Sequence, residues 1–349
     1  MAAPVTIALD SGGADAGPVE VARGAARAVA ADPDLRVLLF GPAAELGPAT
    51  DRVEVVDAPV SVAKAADPVR AVRDRPEASV VQAVQAVADG RADALVSGGS
   101  TAAALAAGVF RIKRGRGIHR PALALLLPVP GRPFLLLDAG ASVDVRPEHL
   151  VQFAHMGAAF MSAVHGVERP RVALLSNGAE PGKGTEVVIA AHAALAASPG
   201  LDFTGNVEGF AVAGGEADVI VTDGFTGNVM LKTMEGTSKA LLEAVRTAAL
   251  STPRAKAGGL LLKPALSGLR DQIDPELQGG AVLLGLRKLG VVPHGSFSAR
   301  GIAVAVDVAA RGVRTDLVGC THAALEAAGA LRGRAPVASS GERTTVHGS

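Results

Sequence analysis

Tryptophan and tyrosine are absent from this sequence, phenylalanine occurs nine times, and cysteine once, at Cys320. A lone cysteine excludes an internal disulfide and any cysteine-rich metal site, and it suits a reducing compartment. The shortage of aromatic rings leaves no platform for stacking on bases. Neither charge sign is in excess, since 34 Lys and Arg balance 34 Asp and Glu. Bulk charge therefore gives the chain no hold on nucleic acid, which is not expected as a partner. A run of about 20 uninterrupted apolar residues is also missing. The most apolar stretch, Leu150 to Val167, is interrupted by Gln152, His155 and His165 and reads as a buried helix. The first ten residues lack the basic start and long apolar run of a signal peptide, so a cytoplasmic globular protein is expected.

What is present is a large supply of core material: 49% of the 349 residues are hydrophobic and 19% are charged. Short apolar runs, namely Val5–Leu9, Arg36–Phe40, Ala94–Val96, Phe134–Leu137, Arg171–Leu175 and Asp218–Thr222, read as buried strands. Helical stretches lie between them at Pro18–Ala31, Ser79–Asp89, Glu148–His165 and Thr185–Ala197. Alternation of this kind predicts an α/β fold with a mainly parallel sheet covered on both faces. Ligands then collect at loops beyond the carboxyl ends of strands.

Five such loops are polar and glycine-rich: Asp10–Asp15, Ser97–Thr101, Asp138–Asp144, Ser176–Gly184 and Asp223–Asn228. Glycine lets a backbone approach a ligand, and a following helix N-terminus favours an anion. Any single loop of this type is adequately explained by turn and capping chemistry. Five expected at one edge favour a polar ligand. Gly178–Lys183 is too short for a phosphate-binding P-loop and has Gly184 where Ser or Thr should follow. Lys183 can still hold a phosphate as a point charge, or stand solvated. No His-x-x-x-His or Cys-x-x-Cys spacing occurs, so no metal is expected. His294-Gly-Ser296 opens a loop before an apolar helix. Arg111–Arg120, with Arg111, Lys113, Arg114 and Arg116, is the one dense basic run. It reads as a solvated loop or as a landing patch for an acidic partner. The segment 259–269, with Leu261, Leu262 and Leu266, leaves little polar face and reads as core, a dimer interface or a peripheral membrane helix.

Seven ordered motifs carry a more specific signal: Asp67–Arg73, Gly117–Ala124, Pro147–Phe153, Gly205–Gly209, Asp223–Val229, Leu231–Thr233 and His294–Ser296. With them the chain resembles, from Val5 to Ala310, the PlsX family of bacterial acyl-acyl-carrier-protein:phosphate acyltransferases. The resemblance implies a three-layer α/β/α sandwich, similar to the isocitrate/isopropylmalate dehydrogenase-like fold. It implies one domain over 1–331; residues 251–290 break the strand–helix rhythm and are expected as a helical dimer- or membrane-contact insertion, and 332–349, rich in Ala, Ser, Gly and Arg with no apolar period, reads as a disordered tail. The implied reaction moves a fatty acyl group from acyl carrier protein to inorganic phosphate, for phospholipid synthesis, without a cofactor. A homodimer and peripheral contact with the cytoplasmic membrane are implied too. The acidic carrier protein gives the basic run a partner.

A thioester is already activated, so positioning and oxyanion stabilisation suffice. On that reading Ser97, Ser100 and Thr101 hold phosphate with help from Lys183. Asn228 and Ser142 donate to the reacting carbonyl. Asp10, Asp15 and Asp223 orient neighbouring groups, and His294 adjoins the substrate. The sequence departs from the family pattern at Ala16, in place of histidine, and at Ser100 and Ser142, in place of asparagine. These changes keep open a catalytically weak paralogue that binds carrier protein or membrane. An enzyme of phosphotransacetylase type using acyl-coenzyme A is a further alternative, and a nicotinamide dehydrogenase has fold analogy alone behind it.

Overall fold

The computed structural model of the protein describes residues 4–48 and 50–333. All but the first two positions of the expected tail, 332–349, lie outside the described residues. The chain runs β1 (Val5–Asp10), α1 (Pro18–Ala31), β2 (Leu35–Gly41), α2 (Ala43–Leu46), β3 (Val53–Asp57), α3 (Pro68–Asp74), α4 (Ser79–Ala88), β4 (Ala94–Ser97) and α5 (Thr101–Ala107). It continues through β5 (Ala122–Leu127), β6 (Phe134–Leu137), α6 (Pro147–His165), β7 (Arg171–Ser176), α7 (Glu186–Ala196), β8 (Asp202–Glu208) and β9 (Val219–Val221). Two long helices follow, α8 (Gly224–Leu250) and α9 (Pro253–Gln272), then β10 (Ala281–Leu284), β11 (Leu289–Val292), α10 (Ala299–Arg314) and α11 (Leu317–Ala327).

The described strands form one sheet of 11, in the order β3-β2-β1-β4-β11-β10-β5-β6-β9-β7-β8. One apolar cluster, including Val21, Phe153, Phe160 and Ile302, lies on one face; a second, including Val81, Val84, Ala104 and Leu231, lies on the other. This is the expected three-layer α/β/α sandwich. The central strands are buried runs of Leu, Val and Ala because helices cover both sides.

The sheet is parallel in two blocks but reverses at its centre. β3, β2, β1, β4 and β11 are mutually parallel, the pairs β11–β10, β10–β5 and β5–β6 are antiparallel, and β6, β9, β7 and β8 are parallel again. The two blocks therefore point their carboxyl ends at opposite edges. The five loops expected together divide into two groups: those after β1 and β4 open at one edge, and those after β6, β7 and β9 at the other.

The expected insertion over 251–290 also divides. Its helical part ends at Gln272, and β10 begins within the range as a buried strand at the centre of the sheet. Gly279 and Gly280, with φ of 74° and 96°, make the turn that delivers the chain there. A Cβ on Gly280 would lie 2.5 Å from the Cα of Pro293, so only glycine fits.

Two predictions follow from this packing. α1 lies against α10 so closely that a Cβ on Gly24 would stand 2.6 Å from the Cβ of Ile302. Gly24→Ala gains about 1 kcal/mol of helix propensity, yet overpacking against a β-branched neighbour costs about 1–3 kcal/mol. A net loss of stability is expected in urea unfolding, and an unchanged or raised midpoint would contradict the contact.

His155 on α6 is 4% exposed, its Nε2 lies 2.8 Å from Ser198 Oγ, and burial pushes its pKa down from 6.5 to about 4. Between those values the unfolded chain binds a proton that the folded chain refuses, so stability falls as pH drops through this window. The loss from this group is about 3 kcal/mol. His119, His149 and His165 are lowered by burial as well, so His155→Gln is expected to flatten part of the slope. An unaltered slope in His155→Gln would show that the ring titrates normally.

Candidate active site

The edge reached by β6, β9 and β7 is organised by one carboxylate. Asp138 is fully buried at the end of β6. Its Oδ1 accepts the backbone N–H groups of Leu123 (2.9 Å), Gly140 (3.0 Å) and Ala141 (2.9 Å), and its Oδ2 accepts that of Ser142 (2.7 Å). Burial raises the Asp138 pKa above its ordinary value, and these four donors offset only part of the rise. The loop 138–142 wraps around its own first side chain because small residues follow the aspartate.

α8 starts against this loop. Asp223 caps it, accepting from Thr226 N (2.8 Å) and Thr226 Oγ1 (2.7 Å), while Gly224 N donates to Ser142 O at 2.8 Å. A Cβ on Gly227 would fall 2.0 Å from the carbonyl oxygen of Asp138, so glycine is what lets the helix seat this closely. One turn on, Asn228 is exposed and its Nδ2 donates to Ala139 O at 3.3 Å. An amide has a second N–H to offer. The positive end of a 27-residue helix is thereby fixed at the sheet edge.

The loop after β7 lies next along the edge, because β7 neighbours β9. The Lys183 stem covers Gly178, where a Cβ would be 2.6 Å from Lys183 Cγ, and its ammonium end is on an exposed residue. Asn206 Nδ2 donates to Glu180 O at 2.9 Å and steadies the loop. Ser176 Oγ, at its start, is buried with no partner among the described residues. Two bulky apolar side chains stand out in solvent at this same edge: Phe210 on the loop after β8, 86% exposed, and Phe225 on the first turn of α8, 62% exposed.

Of the expected residues, the structure brings Lys183, Asp223 and Asn228 to one edge. Ser142 is there too, but it is buried and its Oγ faces Pro121 O at 3.4 Å. It supports the loop and does not line an opening. The basic run precedes β5, whose first residues lie at this edge, and Arg111, Lys113, Arg114 and Arg116 are all exposed. Leu261, Leu262 and Leu266 are exposed on α9, in the projecting helical pair formed with α8.

Asp10, Asp15, Ser97, Ser100, Thr101 and His294 occupy the opposite edge, so Lys183 and the Ser97–Thr101 loop do not converge on one phosphate. There the loops fill one another. Ser97 Oγ donates to the buried Asp10 Oδ2 at 2.7 Å, and desolvation pushes the Asp10 pKa up. Ser100 caps α5 through Ala103 N. A Cβ on Gly99 would meet Gly12 O at 2.5 Å. The glycines of this edge serve loop-to-loop contact. His294 Nδ1 is 2.8 Å from Ser296 Oγ, and Gly295 O accepts from Asp15 N. Among the described residues no group of three His, Cys, Asp or Glu side chains is arranged to hold a metal ion.

Asp138 was not singled out from the sequence, although an Asp followed by Ala-Gly-Ala-Ser is the pattern of a carboxylate capping its own loop. A Gly227→Ala exchange is expected to displace the first turn of α8 and to lower catalytic efficiency more than tenfold with the fold retained. Wild-type activity in that variant would disprove the close seating.

The family model described as fatty acid synthesis protein matches residues 5–319. A phosphate acyltransferase of Geobacillus thermodenitrificans is 43% identical over 326 residues, covering 92% of this chain and 99% of the relative. One of Thermobifida fusca is 44% identical over 311 residues, covering 86% of each chain. Among solved structures, a phosphotransacetylase from Streptococcus pyogenes aligns with TM-score 0.56 at 18% identity, over 89% of this chain and 94% of its own. A 4-hydroxythreonine-4-phosphate dehydrogenase from Klebsiella pneumoniae aligns with TM-score 0.53 at 17% identity, over 90% and 99%. These two likenesses concern the fold.

Proposed function

From the premise that this chain belongs to the fatty acid synthesis protein family, the PlsX family, and is an acyltransferase that delivers an acyl group to phosphate, we propose that its donor is a fatty acyl thioester of acyl carrier protein and that the edge built on Asp138 is its active site. The observation that carries this reading is the assembly, at one edge, of a cation, Lys183, on the loop after β7, and an amide donor, Asn228, on the first turn of the helix after the adjacent β9. The exposed rings of Phe210 and Phe225 at that edge suit an apolar chain, and the basic run beside it suits an acidic carrier.

In this reading Lys183 holds the phosphate, whose oxygen attacks the thioester carbonyl. Asn228 Nδ2 and the positive end of α8 stabilise the oxyanion that forms there. Collapse breaks the carbon–sulfur bond and leaves an acyl phosphate. The departing thiolate takes the proton lost from the attacking phosphate. Asp223 and Asp138 act at one remove, by holding the helix start and the neighbouring loop. The residues at the other edge keep the first parallel block in register. Ala16 and Ser100, two of the departures from the family pattern, belong to that other edge, which weighs against a catalytically weak paralogue.

The product would supply phospholipid synthesis. The α8–α9 pair, with exposed Leu260, Leu261 and Leu262, would make the dimer or membrane contact. Among the described residues no helix is long and apolar enough to cross a membrane.

The test incubates the protein with long-chain acyl carrier protein and phosphate and traps acyl phosphate with hydroxylamine. Phosphate-dependent hydroxamate is expected, with acyl-coenzyme A as the competing donor. Lys183→Met and Asn228→Ala should each lower the rate by about a hundredfold or more. Ser100→Ala should change it little. Losses at Ser100 with none at Lys183 and Asn228 would place the chemistry at the opposite edge.

A further inference from the structure

Two sequence motifs, Gly117–Ala124 and Pro147–Phe153, have no part in the acyl transfer described above, and the fold sets them side by side. His119 N donates to Gln152 Oε1 at 2.8 Å, Gln152 Nε2 donates to Gly117 O at 3.0 Å, and the rings of His119 and His149 are 5.4 Å apart. Both segments lie at the Asp138 edge. The first leads into β5, whose Leu123 is bound to Asp138, and the second follows directly from the 138–144 loop.

His149 is only 3% exposed. Its Nδ1 accepts the backbone N–H of Arg146 at 3.2 Å, which places the ring proton of the neutral imidazole on Nε2. That Nε2 lies 3.4 Å from Arg146 Nη2, a group that can only donate. Two N–H donors thus meet with no acceptor between them, and adding a second proton to the ring would turn the Nδ1 contact into a donor–donor clash as well. Capping of α6 explains Nδ1 and leaves Nε2 unexplained. Glu148 engages Arg146 through Nε at 3.2 Å, leaving the Nη2 side of the guanidinium turned to the histidine. Burial and the charges of Arg146 and Arg120 hold the His149 pKa below its ordinary value, consistent with the neutral ring.

We propose that His149 Nε2 and Arg146 Nη2 form an anion site that takes an oxygen of a phosphoryl group, with His119 and Arg120 at its border. A phosphate oxygen accepts from both donors at once and removes their conflict. In the reaction proposed above, on which this assignment of ligand rests, a phosphoryl group arrives from two sources. One is free inorganic phosphate. The other is the phosphodiester of the pantetheine arm that carries the acyl thioester.

Two variants of the full chain separate these outcomes. Arg146→Gln alters a side chain that is 63% exposed. His149→Asn retains an acceptor near the Nδ1 position, so the α6 cap survives while the Nε2 donor is lost. Both are first checked for wild-type melting temperature. Calorimetry then titrates each protein with inorganic phosphate and with 4′-phosphopantetheine, using pantetheine as the control without phosphate. At least a tenfold loss of affinity for one phosphate-bearing probe is expected in both variants.

Kinetics assign the source. A tenfold rise in KM for phosphate with every donor marks free phosphate. A rise in KM for acyl carrier protein, absent with an acyl-N-acetylcysteamine thioester, marks the donor arm. Folded variants that bind both probes as the wild type does, or a wild type that binds neither, overturn the proposal. A wild type that makes no hydroxamate refutes the acyl-transfer reading instead, and the calorimetry still decides the anion site.

Discussion

The four hydrogen bonds received by Asp138 are the interaction on which the candidate site depends. A carboxylate withdrawn from water is costly unless its lone pairs are met, and here backbone N–H groups from β5 and from the loop itself meet them. The same side chain therefore fixes the end of β6, the start of β5 and the surface on which α8 rests. Gly224 and Gly227 allow that helix to sit against the loop without a Cβ in the way. This contact, together with the bonds from Gly224 N to Ser142 O and from Asn228 Nδ2 to Ala139 O, positions Asn228 and the positive end of α8.

The second constraint is the reversal at the middle of the sheet. It separates two families of glycine-rich loops that look equivalent in the sequence. At one edge Asp10, Ser97, Gly12 and Gly99 satisfy one another and close the space between loops. At the other, Lys183 on the loop after β7 and Asn228 on the first turn of α8 stay exposed beside the loop that Asp138 holds together. The same residue types thus serve packing in one block and remain available to a ligand in the other.

Much of the architecture was legible in the sequence. Buried strands such as Phe134–Leu137 and proline-started amphipathic helices such as Pro18–Ala31 have strong local signatures, and both formed where expected. Three strands had weaker ones: β8 is a polar edge strand, and β10 and β11 are four residues each, beside long helices. Strand direction was not legible, because a buried strand reads the same whether its neighbour is parallel or antiparallel. That is why five loops expected at one edge fell at two. The roles of Lys183 and Asn228 came from motif position. Asp138 and the His149–Arg146 contact came to light only when the chain was folded, since their meaning lies in which donors face which acceptors.

The position of β10 and β11 also bears on how the chain is made. They arise near residue 281, yet they lie between β4 and β5, elements that leave the ribosome far earlier. Until the last third of the chain emerges, the first parallel block has an open edge at β4, and the β5–β6 pair has one at β5. Two nascent half-sheets, each with an unpaired apolar strand, must wait for the late hairpin to join them. Such long-range closure is slow and exposes strand edges to other chains. Synthesis in chain order prolongs that exposure, and truncation before residue 281 removes the hairpin that bridges the two blocks.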